Sequence, residues 1–403
     1  MTLSRDWLPR RPEETERIAQ GRELFRQIGK GLVAQKSFQS GDVILEEKPL
    51  VCAQFSWNEL YKYKACEFCL RSLENAEEMV RRLTNDPSII LPYPECCDVD
   101  ASKFSFCSQC QVQYCSPECR DAAWNSYHQA LCLGPSREDP DHPLNQLINQ
   151  WRSFHYPPET GSMMLIIKII AMIMQAKDKS AVISKFSTFV NSVINEREDI
   201  AHKLLGEQFM DQREILRSML TEIFFEESVQ QWYTPEGFNS LFALIGTNGQ
   251  GIGSSSFSRW VKATEELQLG DAEKQQLDDN IDKLYDRLQE VSGSFLDCEG
   301  SGLYQLQSAA NHSCVPNTEI TFSHGDHTLS LVALTDIQPD EEITISYLGC
   351  CGLDRGRHSR QKALKENYLF TCNCPKCVSQ CDDESITTDD EEEEDEDDED
   401  NEI

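Results

Sequence analysis

Apolar and polar residues follow two different spacings along this chain, and the first of them predicts strands. Short apolar runs bounded by glycine-bearing turns indicate strands within 29–34 and 38–45. Similar runs return much later, at 318–322, 328–334 and 343–347. Strands are therefore expected near both ends of the folded region.

The second spacing is helical and fills the middle of the chain. Apolar residues recur at helical intervals over 144–195 and 207–225, which predicts a layer of helices. A polar insertion at 254–296 ends in a run with the spacing of an amphipathic helix, and we interpret that face as a packing surface. The run consists of Leu277, Ile281, Leu284, Leu288 and Val291. The whole pattern favours an α+β fold.

Composition places the chain among globular proteins. Its 403 residues, 39% of them apolar and 26% charged, can bury a core of two or three structural units. The most apolar run, 163–174, is too short to span a bilayer and carries Lys168, so it predicts a buried helix and no membrane span. No secretory signal pattern opens the sequence, so the eighteen cysteines favour metal binding over disulfides.

The formal net charge of −32 is concentrated at one end. Residues 382–403 contain sixteen Asp or Glu and no Lys or Arg, which leaves half of the net charge on the rest of the chain. An acidic body argues against nucleic-acid binding and favours basic protein partners. The tail is expected to be disordered, and it serves either as a solvated solubility segment or as an attractor of basic substrates.

One group of cysteines and a histidine has the spacing of zinc ligands. Eight ligands make two four-coordinate sites, and a CxxC turn brings two thiolates to one metal. Unligated buried cysteines would not explain a full octet in register. Cys96 and Cys97, in the long gap of the pattern, are rival ligands. The octet is Cys66, Cys69, Cys107, Cys110, Cys115, Cys119, His128 and Cys132.

A third metal site is predicted near the end of the chain. Cys372, Cys374 and Cys377 supply three thiolates, whereas structural zinc wants four tetrahedral ligands. Cys314 is the candidate for the fourth. If it closes the site, the segment 372–377 lies beside the Asn-His pair that precedes Cys314, and three zinc ions are expected in all.

These motifs together resemble one family over nearly the whole chain. The octet followed by a helical stretch, the run Asn-His-Ser-Cys-Val-Pro-Asn at 311–317 and the CxCxxC triplet are similar to those of SET and MYND domain-containing lysine methyltransferases. The resemblance implies a split SET fold with an inserted MYND zinc finger and a cysteine-rich post-SET zinc site. It also implies that the ligands of the two finger sites interleave along the chain. One site would use Cys66, Cys69, Cys115 and Cys119, and the other Cys107, Cys110, His128 and Cys132.

Two departures from the family pattern stand out. Thirty-seven residues separate Cys69 from Cys107, far more than is usual for such fingers. Most members also continue into a helical C-terminal domain, whereas this chain ends in an acidic tail, which is similar to the fifth branch of the family. Substrate contacts made by that helical domain in other members are therefore not expected here.

The resemblance divides the chain into seven segments. They are a poorly ordered N-terminus (1–20), the N-terminal part of the SET domain (21–63), the MYND-like zinc finger with its long insert (64–133), a helical linker or insert region (134–245), the SET catalytic core (246–350, with a helical insertion at about 256–296), the post-SET zinc-binding segment (351–380) and an acidic disordered tail (381–403).

The resemblance also assigns S-adenosylmethionine as the methyl donor and names residues for its pocket. The glycine-rich stretch 246–249 carries no Walker lysine, which argues against a nucleotide-triphosphate loop there. The implied cofactor-binding residues are Lys30, Gly31, Leu32, Asn248, Asn311, His312, Tyr347 and Phe370.

Tyr347 is the candidate catalytic residue. Alternation along Ile343, Ile345 and Tyr347 places it on the buried face of its strand. Read alone, it would be a core tyrosine with an internal partner. The family resemblance instead implies that its hydroxyl orients the substrate amine and steadies the transferring methyl group, without acting as a strong base.

The sequence therefore predicts a protein-lysine N-methyltransferase that acts on basic proteins of the histone or ribosomal type. The alternative is a catalytically silent, zinc-dependent scaffold that binds protein partners through the finger. Proline-rich segments are expected partners of the finger in either case. We also expect a monomer without sequence-specific nucleic-acid binding. The expected location is the cytoplasm, with cytosol, nucleus or both left open by the sequence.

Overall fold

The computed structural model of the protein describes residues 25–28, 31–154, 162–194, 205–293 and 296–381. The N-terminus, Lys30 and the acidic tail lie outside these residues. The strands of the described part are β1 (Phe25–Ile28), β2 (Gly31–Ala34), β3 (Val43–Glu47), β4 (Val51–Gln54), β5 (Ser105–Phe106), β6 (Gln113–Tyr114), β7 (Gly249–Ser254), β8 (Cys298–Leu303), β9 (Asn311–His312), β10 (Thr318–Thr321), β11 (Leu329–Ala333) and β12 (Glu342–Ile345). The helices are α1 (Trp57–Leu60), α2 (Ala76–Leu83), α3 (Pro117–Ala123), α4 (Gln129–Leu131), α5 (Pro143–Arg152), α6 (Ser162–Gln175), α7 (Lys179–Phe186), α8 (Met210–Phe224), α9 (Pro235–Asn248), α10 (Ser256–Glu265), α11 (Asp271–Ser292), α12 (Cys350–Asp354), α13 (Arg357–Tyr368) and α14 (Pro375–Ser379).

The sheets join strands from both ends of the sequence. Within the described residues the strand orders are β1-β2-β12-β9, β10-β11-β3, β4-β8-β7 and β5-β6. Each of the first three sheets pairs a strand from before residue 55 with one from after residue 297. The predicted strands at both ends are thus confirmed, and they form a split β core.

Alternation along the strands explains how this core closes. Leu32 and Ile343 face each other across β2 and β12, and both are fully buried. Ile345 is buried on the same face of β12. The strand predicted over 343–347 is shorter in the structure, because β12 ends at Ile345 and does not include Tyr347. Tyr347 follows in a turn and is half-buried.

The predicted helical layer is present, with α6 at its centre. Ile166 and Ile170 of α6 are fully buried, and they share a core with Phe242 of α9. Lys168 is buried as well, and its ammonium lies 2.8 Å from the Glu67 carboxylate and 3.1 Å from the Cys52 carbonyl oxygen. The interpretation as a buried helix is confirmed. None of the described helices combines the length and apolar character needed to cross a membrane.

The helical prediction over 144–195 extends too far. Helix α7 ends at Phe186, and the residues that follow are irregular. The hydroxyls of Ser187 and Thr188 donate to the carbonyls of Ile183 and Lys185, which replaces further helical bonds at this end. Phe189 still packs into the core.

The polar insertion and the long finger insert form one unit together. We call it the satellite unit: α2 with the loop to residue 97, α10 and α11. Val80 of α2 and Trp260 of α10 are buried in its core beside Ile281 of α11. The predicted amphipathic face of α11 is confirmed except at its last member, since Val291 is 52% exposed.

Candidate active site and metal centres

The zinc finger brings its eight predicted ligands into two groups of four, interleaved as the family resemblance implied. All ligand atoms of each group lie within 4.8 Å of one another. Sγ–Sγ distances are 3.6 Å for Cys69–Cys115 and 3.7 Å for Cys107–Cys132. Four ligands at the usual zinc–sulfur distance stand about 3.8 Å apart, so both groups fit tetrahedral zinc.

Local structure explains how the ligands converge. The hairpin β5–β6 holds Cys107 and Cys110 at its turn, and the Ser116 side chain caps α3, which carries Cys119. A single π-helical turn over 124–128 then directs His128 inward. The His128 Nε2 atom lies 3.4 Å from the Sγ atom of Cys110.

The third group assembles as predicted from distant parts of the chain. Cys314, Cys372, Cys374 and Cys377 place their sulfur atoms within 4.8 Å of one another. Cys314 Sγ lies 4.0 Å from Cys372 and 3.5 Å from Cys377, which again fits a tetrahedral zinc site and is far from disulfide distance. The rival ligands Cys96 and Cys97 pack against the apolar core of the satellite unit instead.

A buried arginine lies against this third group. Arg360 is 1% exposed and donates from Nε to Cys314 Sγ at 3.4 Å and from Nη2 to Cys377 Sγ at 3.5 Å. Its Nη2 atom also donates to Gln380 Oε1 at 2.7 Å. Four thiolates around one zinc ion carry a net charge of −2, so a buried guanidinium here offsets part of that charge.

The Asn-His segment is fixed beside the end of β12. Strand β9 runs parallel to β12 and pairs Asn311 with Thr344 and His312 with Ile345. Asn317 secures this pairing because its Oδ1 atom accepts from the Thr344 N–H at 2.8 Å. Asn317 Nδ2 also donates to the Glu342 carbonyl at 2.8 Å. The result places His312 next to the turn that carries Tyr347.

Tyr347 is held at both its backbone and its hydroxyl. Its N–H donates to His312 Nδ1 at 3.0 Å, and its hydroxyl donates to the Ala310 carbonyl at 2.7 Å. Burial raises the pKa of Tyr347 to about 12, so the phenol keeps its proton at neutral pH. The group can therefore orient a substrate nitrogen but does not act as a phenolate base.

Aromatic rings pack against the ring of Tyr347. The ring centroid of Tyr347 lies 4.8 Å from that of Tyr368 and 6.1 Å from that of Phe370, and the Phe370 ring is perpendicular at 88°. Leu369, at φ 60°, ends α13 in the left-handed region and turns the chain toward Phe370. His312 also contacts Phe370, with centroids 6.0 Å apart. Such a wall disfavours a charged ammonium by desolvation.

The other residues predicted to bind the cofactor have no side chain that the structure shows facing Tyr347. Lys30 lies outside the described residues. Leu32 is fully buried in the core, so a cofactor contact at Gly31 and Leu32 would use the backbone. Asn248 ends α9, and its Nδ2 atom donates to the carbonyls of Val190 and Leu244, both at 2.7 Å. Its cofactor role stays a prediction, as do those of Asn311, His312 and Phe370.

Three residues that contribute to this site were missed from the sequence. Asn317 is the last residue of the 311–317 motif, and this position could have indicated its role in the site. Glu47 accepts from the backbone N–H groups of Leu306 and Gln307, both at 2.9 Å, and so holds the turn before Asn311. Glu47 and Arg360 belong to no recognisable spacing.

Comparisons with known proteins agree with this geometry. The SET domain profile matches residues 29–348. Over 361 residues the chain is 55% identical to proteins named protein-lysine N-trimethyltransferase SMYD5 from Danio rerio, Gallus gallus and Homo sapiens, covering 90% of this chain and 86–87% of theirs. The histone-lysine N-methyltransferase SMYD3 of Mus musculus is 26% identical over 299 residues, covering 72% of this chain and 53% of that protein.

A split SET core with cysteine groups in MYND-like and post-SET-like positions defines the class of this protein. The chain belongs to the SET-domain family and, within it, to the SMYD5 branch. The family and branch predicted from the sequence are confirmed.

Proposed function

We propose that this protein transfers methyl groups from S-adenosylmethionine to lysine side chains of other proteins. The observation that carries this function is the arrangement of Tyr347, which His312 and the Ala310 carbonyl hold inside an aromatic wall. The relatives at 55% identity, named as protein-lysine N-trimethyltransferases, support the same reaction and its extension to three methyl groups.

The residues of the site prepare the lysine for a direct displacement. When bound, S-adenosylmethionine supplies a sulfonium methyl group to the lysine nitrogen. Asn311, His312 and Phe370 would hold it, with Asn248 and the backbone of Gly31 as further candidates. Lysine has a pKa near 10.4 in water, so the aromatic wall must favour the neutral amine. The Tyr347 hydroxyl then orients that amine.

We also propose that the protein binds three structural zinc ions. Each of the three cysteine-rich groups would bind one zinc ion, giving three per chain. The third ion would fix the segment 372–377 behind His312. The two ions of the finger would shape a surface for proline-rich partners, to which Phe106, 43% exposed on β5, offers an apolar contact.

The proposed substrates are basic proteins of the histone or ribosomal type. The formal net charge of −32 favours capture of basic segments by electrostatic steering. The histone-lysine name of the SMYD3 relative supports histones as one group of candidates. We propose further that the protein acts as a monomer in the cytoplasm and in the nucleus.

Transfer of labelled methyl from S-adenosylmethionine to fractionated cell extract tests the activity. We expect label on discrete basic proteins with the wild-type protein and none with Tyr347→Phe. Equal labelling by both proteins would contradict the role of Tyr347. Intact metal content without cofactor binding would favour the scaffold alternative.

The acidic tail is tested by removing residues 382–403. If the tail attracts basic substrates, kcat/KM falls and its dependence on salt weakens. Unchanged kcat/KM and unchanged salt dependence would leave solubility as its role.

A further inference from the structure

We propose that Gln307 determines specificity in the transfer reaction, and that its side-chain carbonyl accepts a hydrogen bond from the substrate lysine nitrogen. This inference rests on the proposed lysine methyl transfer. Gln307 is 6% exposed, and its Oε1 atom is buried without a hydrogen-bond donor among the described residues. A buried carbonyl without a donor costs free energy, so a ligand that supplies a donor at this oxygen would bind favourably.

A second glutamine fixes which way the Gln307 amide points. Gln250 donates from Nε2 to the Gly251 carbonyl at 3.0 Å, which leaves its own Oε1 atom as an acceptor. Gln307 Nε2 donates to that oxygen at 3.2 Å. The amide of Gln307 therefore presents nitrogen to Gln250 and turns its oxygen away from it.

The backbone of Gln307 belongs to the turn that holds the catalytic tyrosine. The Glu47 carboxylate accepts from the Gln307 N–H at 2.9 Å, and the Gln307 carbonyl accepts from the Ala310 N–H at 2.9 Å. The Ala310 carbonyl in turn accepts from the Tyr347 hydroxyl. Only two residues, Ser308 and Ala309, thus separate Gln307 from Ala310, whose carbonyl accepts from that hydroxyl.

The amide pair also joins two segments that were predicted to contact the cofactor. Gln250 lies on β7 two residues after Asn248, and Gln307 lies four residues before Asn311. Gln307 therefore lies next to both segments. The substrate amine is the N–H donor that the reaction delivers to Tyr347.

The number of N–H groups on the reacting nitrogen gives this contact a signature. A neutral lysine amine carries two N–H groups, its monomethyl form one and its dimethyl form none. The covalent change forms the nitrogen–methyl bond and breaks the methyl–sulfur bond. Unmodified and monomethylated lysine then lose one proton to solvent, whereas dimethyllysine has no N–H proton to lose. Gln307 takes no part in these changes and only accepts a hydrogen bond. Its contribution should therefore fall with each methyl group already present.

Gln307→Met tests the proposal because it keeps the length of the side chain and removes the amide. The substrates are single-lysine peptides, unmodified, monomethylated and dimethylated, from the segment that the wild-type protein labels. We expect kcat/KM to fall roughly tenfold to hundredfold for unmodified lysine and less than about threefold for dimethyllysine. The matched control is Gln305→Met, whose Nε2 donates to Thr188 outside this turn.

Two further readouts separate this role from others. Calorimetry should give the same Kd for S-adenosylmethionine in the Gln307→Met and wild-type proteins; weaker cofactor binding would assign Gln307 to the cofactor. An equal loss of kcat/KM with all three peptides would assign it a structural role.

Thermal unfolding without ligand provides a readout that needs no substrate. The variant removes the unpaired carbonyl, which favours stability, and also the Gln307 Nε2 bond to Gln250, which opposes it, so its Tm should stay close to that of the wild type. A large fall in Tm relative to the Gln305→Met control would assign Gln307 a structural role and overturn the inference. Absence of labelling by the wild-type protein would instead count against the proposed function itself.

Discussion

His312 accepts a hydrogen bond from the backbone N–H of Tyr347 through Nδ1, at 3.0 Å. Its Nε2 atom must then carry the ring proton, and it lies 3.4 Å from the sulfur of Cys314. Burial, with the nearby Arg360 charge, lowers the pKa of His312 to about 4, so the ring stays neutral at physiological pH. The imidazole thereby links Tyr347 to the third cysteine group.

Replacing this ring should displace Tyr347 without removing a metal ligand. In His312→Phe the Tyr347 N–H loses its acceptor, and we expect the rate of methyl transfer to fall about a hundredfold. Metal content should stay at the wild-type value. His358→Phe, at an exposed position on α13, is the control and should keep the wild-type rate. A wild-type rate in His312→Phe would contradict this link.

Metal analysis distinguishes the three cysteine groups. Wild-type protein should contain three zinc ions per chain, and Cys372→Ser should lose one of them together with methyl transfer, because the segment behind His312 is released. Elemental analysis of purified protein measures the ions. Cys381→Ser changes an exposed thiol outside the three groups and should keep all three. Three ions in Cys372→Ser would disprove the third site.

The high pKa of Tyr347 shapes the dependence of the rate on pH. With a pKa of about 12 the phenol keeps its proton across the working range, so its ionisation causes no loss of rate below pH 10. The neutral fraction of a solvent-exposed lysine rises about tenfold per pH unit below its pKa of about 10.4. We therefore expect kcat/KM to rise between pH 7 and 9. A fall over this range, in protein that remains folded, would contradict the role of the Tyr347 phenol as a protonated orienting group.

Arg360 should affect how tightly the third zinc ion is held. Arg360→Met leaves the charge of four thiolates without its buried partner, and we expect release of one zinc ion to a chelator to become about tenfold faster. Arg357→Met is the matched control, since Arg357 on the same helix donates to the Cys377 carbonyl and not to a sulfur. Equal release from both variants would remove the special role of Arg360.

Much of the site could be predicted because its signals are local. The CxCxxC triplet indicated an incomplete tetrahedral site, and Cys314 completed it. Alternation along β12 placed Ile343 and Ile345 in the core. Tyr347 packs against the same core, as this alternation predicts, but β12 ends two residues earlier and the tyrosine lies in a bend fixed by His312.

Other parts could not be predicted because they depend on contacts between distant residues. Arg360 reads as one more basic position on an amphipathic helix, and only the folded chain buries it against two sulfur atoms. The unpaired oxygen of Gln307 depends on Gln250, fifty-seven positions earlier. No spacing within a single segment encodes such a pair.

The satellite unit also depends on contacts between distant residues, and its stability can be tested separately from the zinc sites. Its core joins Trp260 of the insertion to the finger insert, where the indole N–H donates to the Pro92 carbonyl at 3.2 Å. Trp260→Ala should cost about 3–5 kcal/mol of stability in this unit. We expect faster hydrogen exchange in 76–97 and 256–292, while three zinc ions are retained. Val291→Ala, at an exposed position of α11, is the control. Because the unit has its own apolar core, loss of zinc from the finger in Trp260→Ala would mean that the two fold as one.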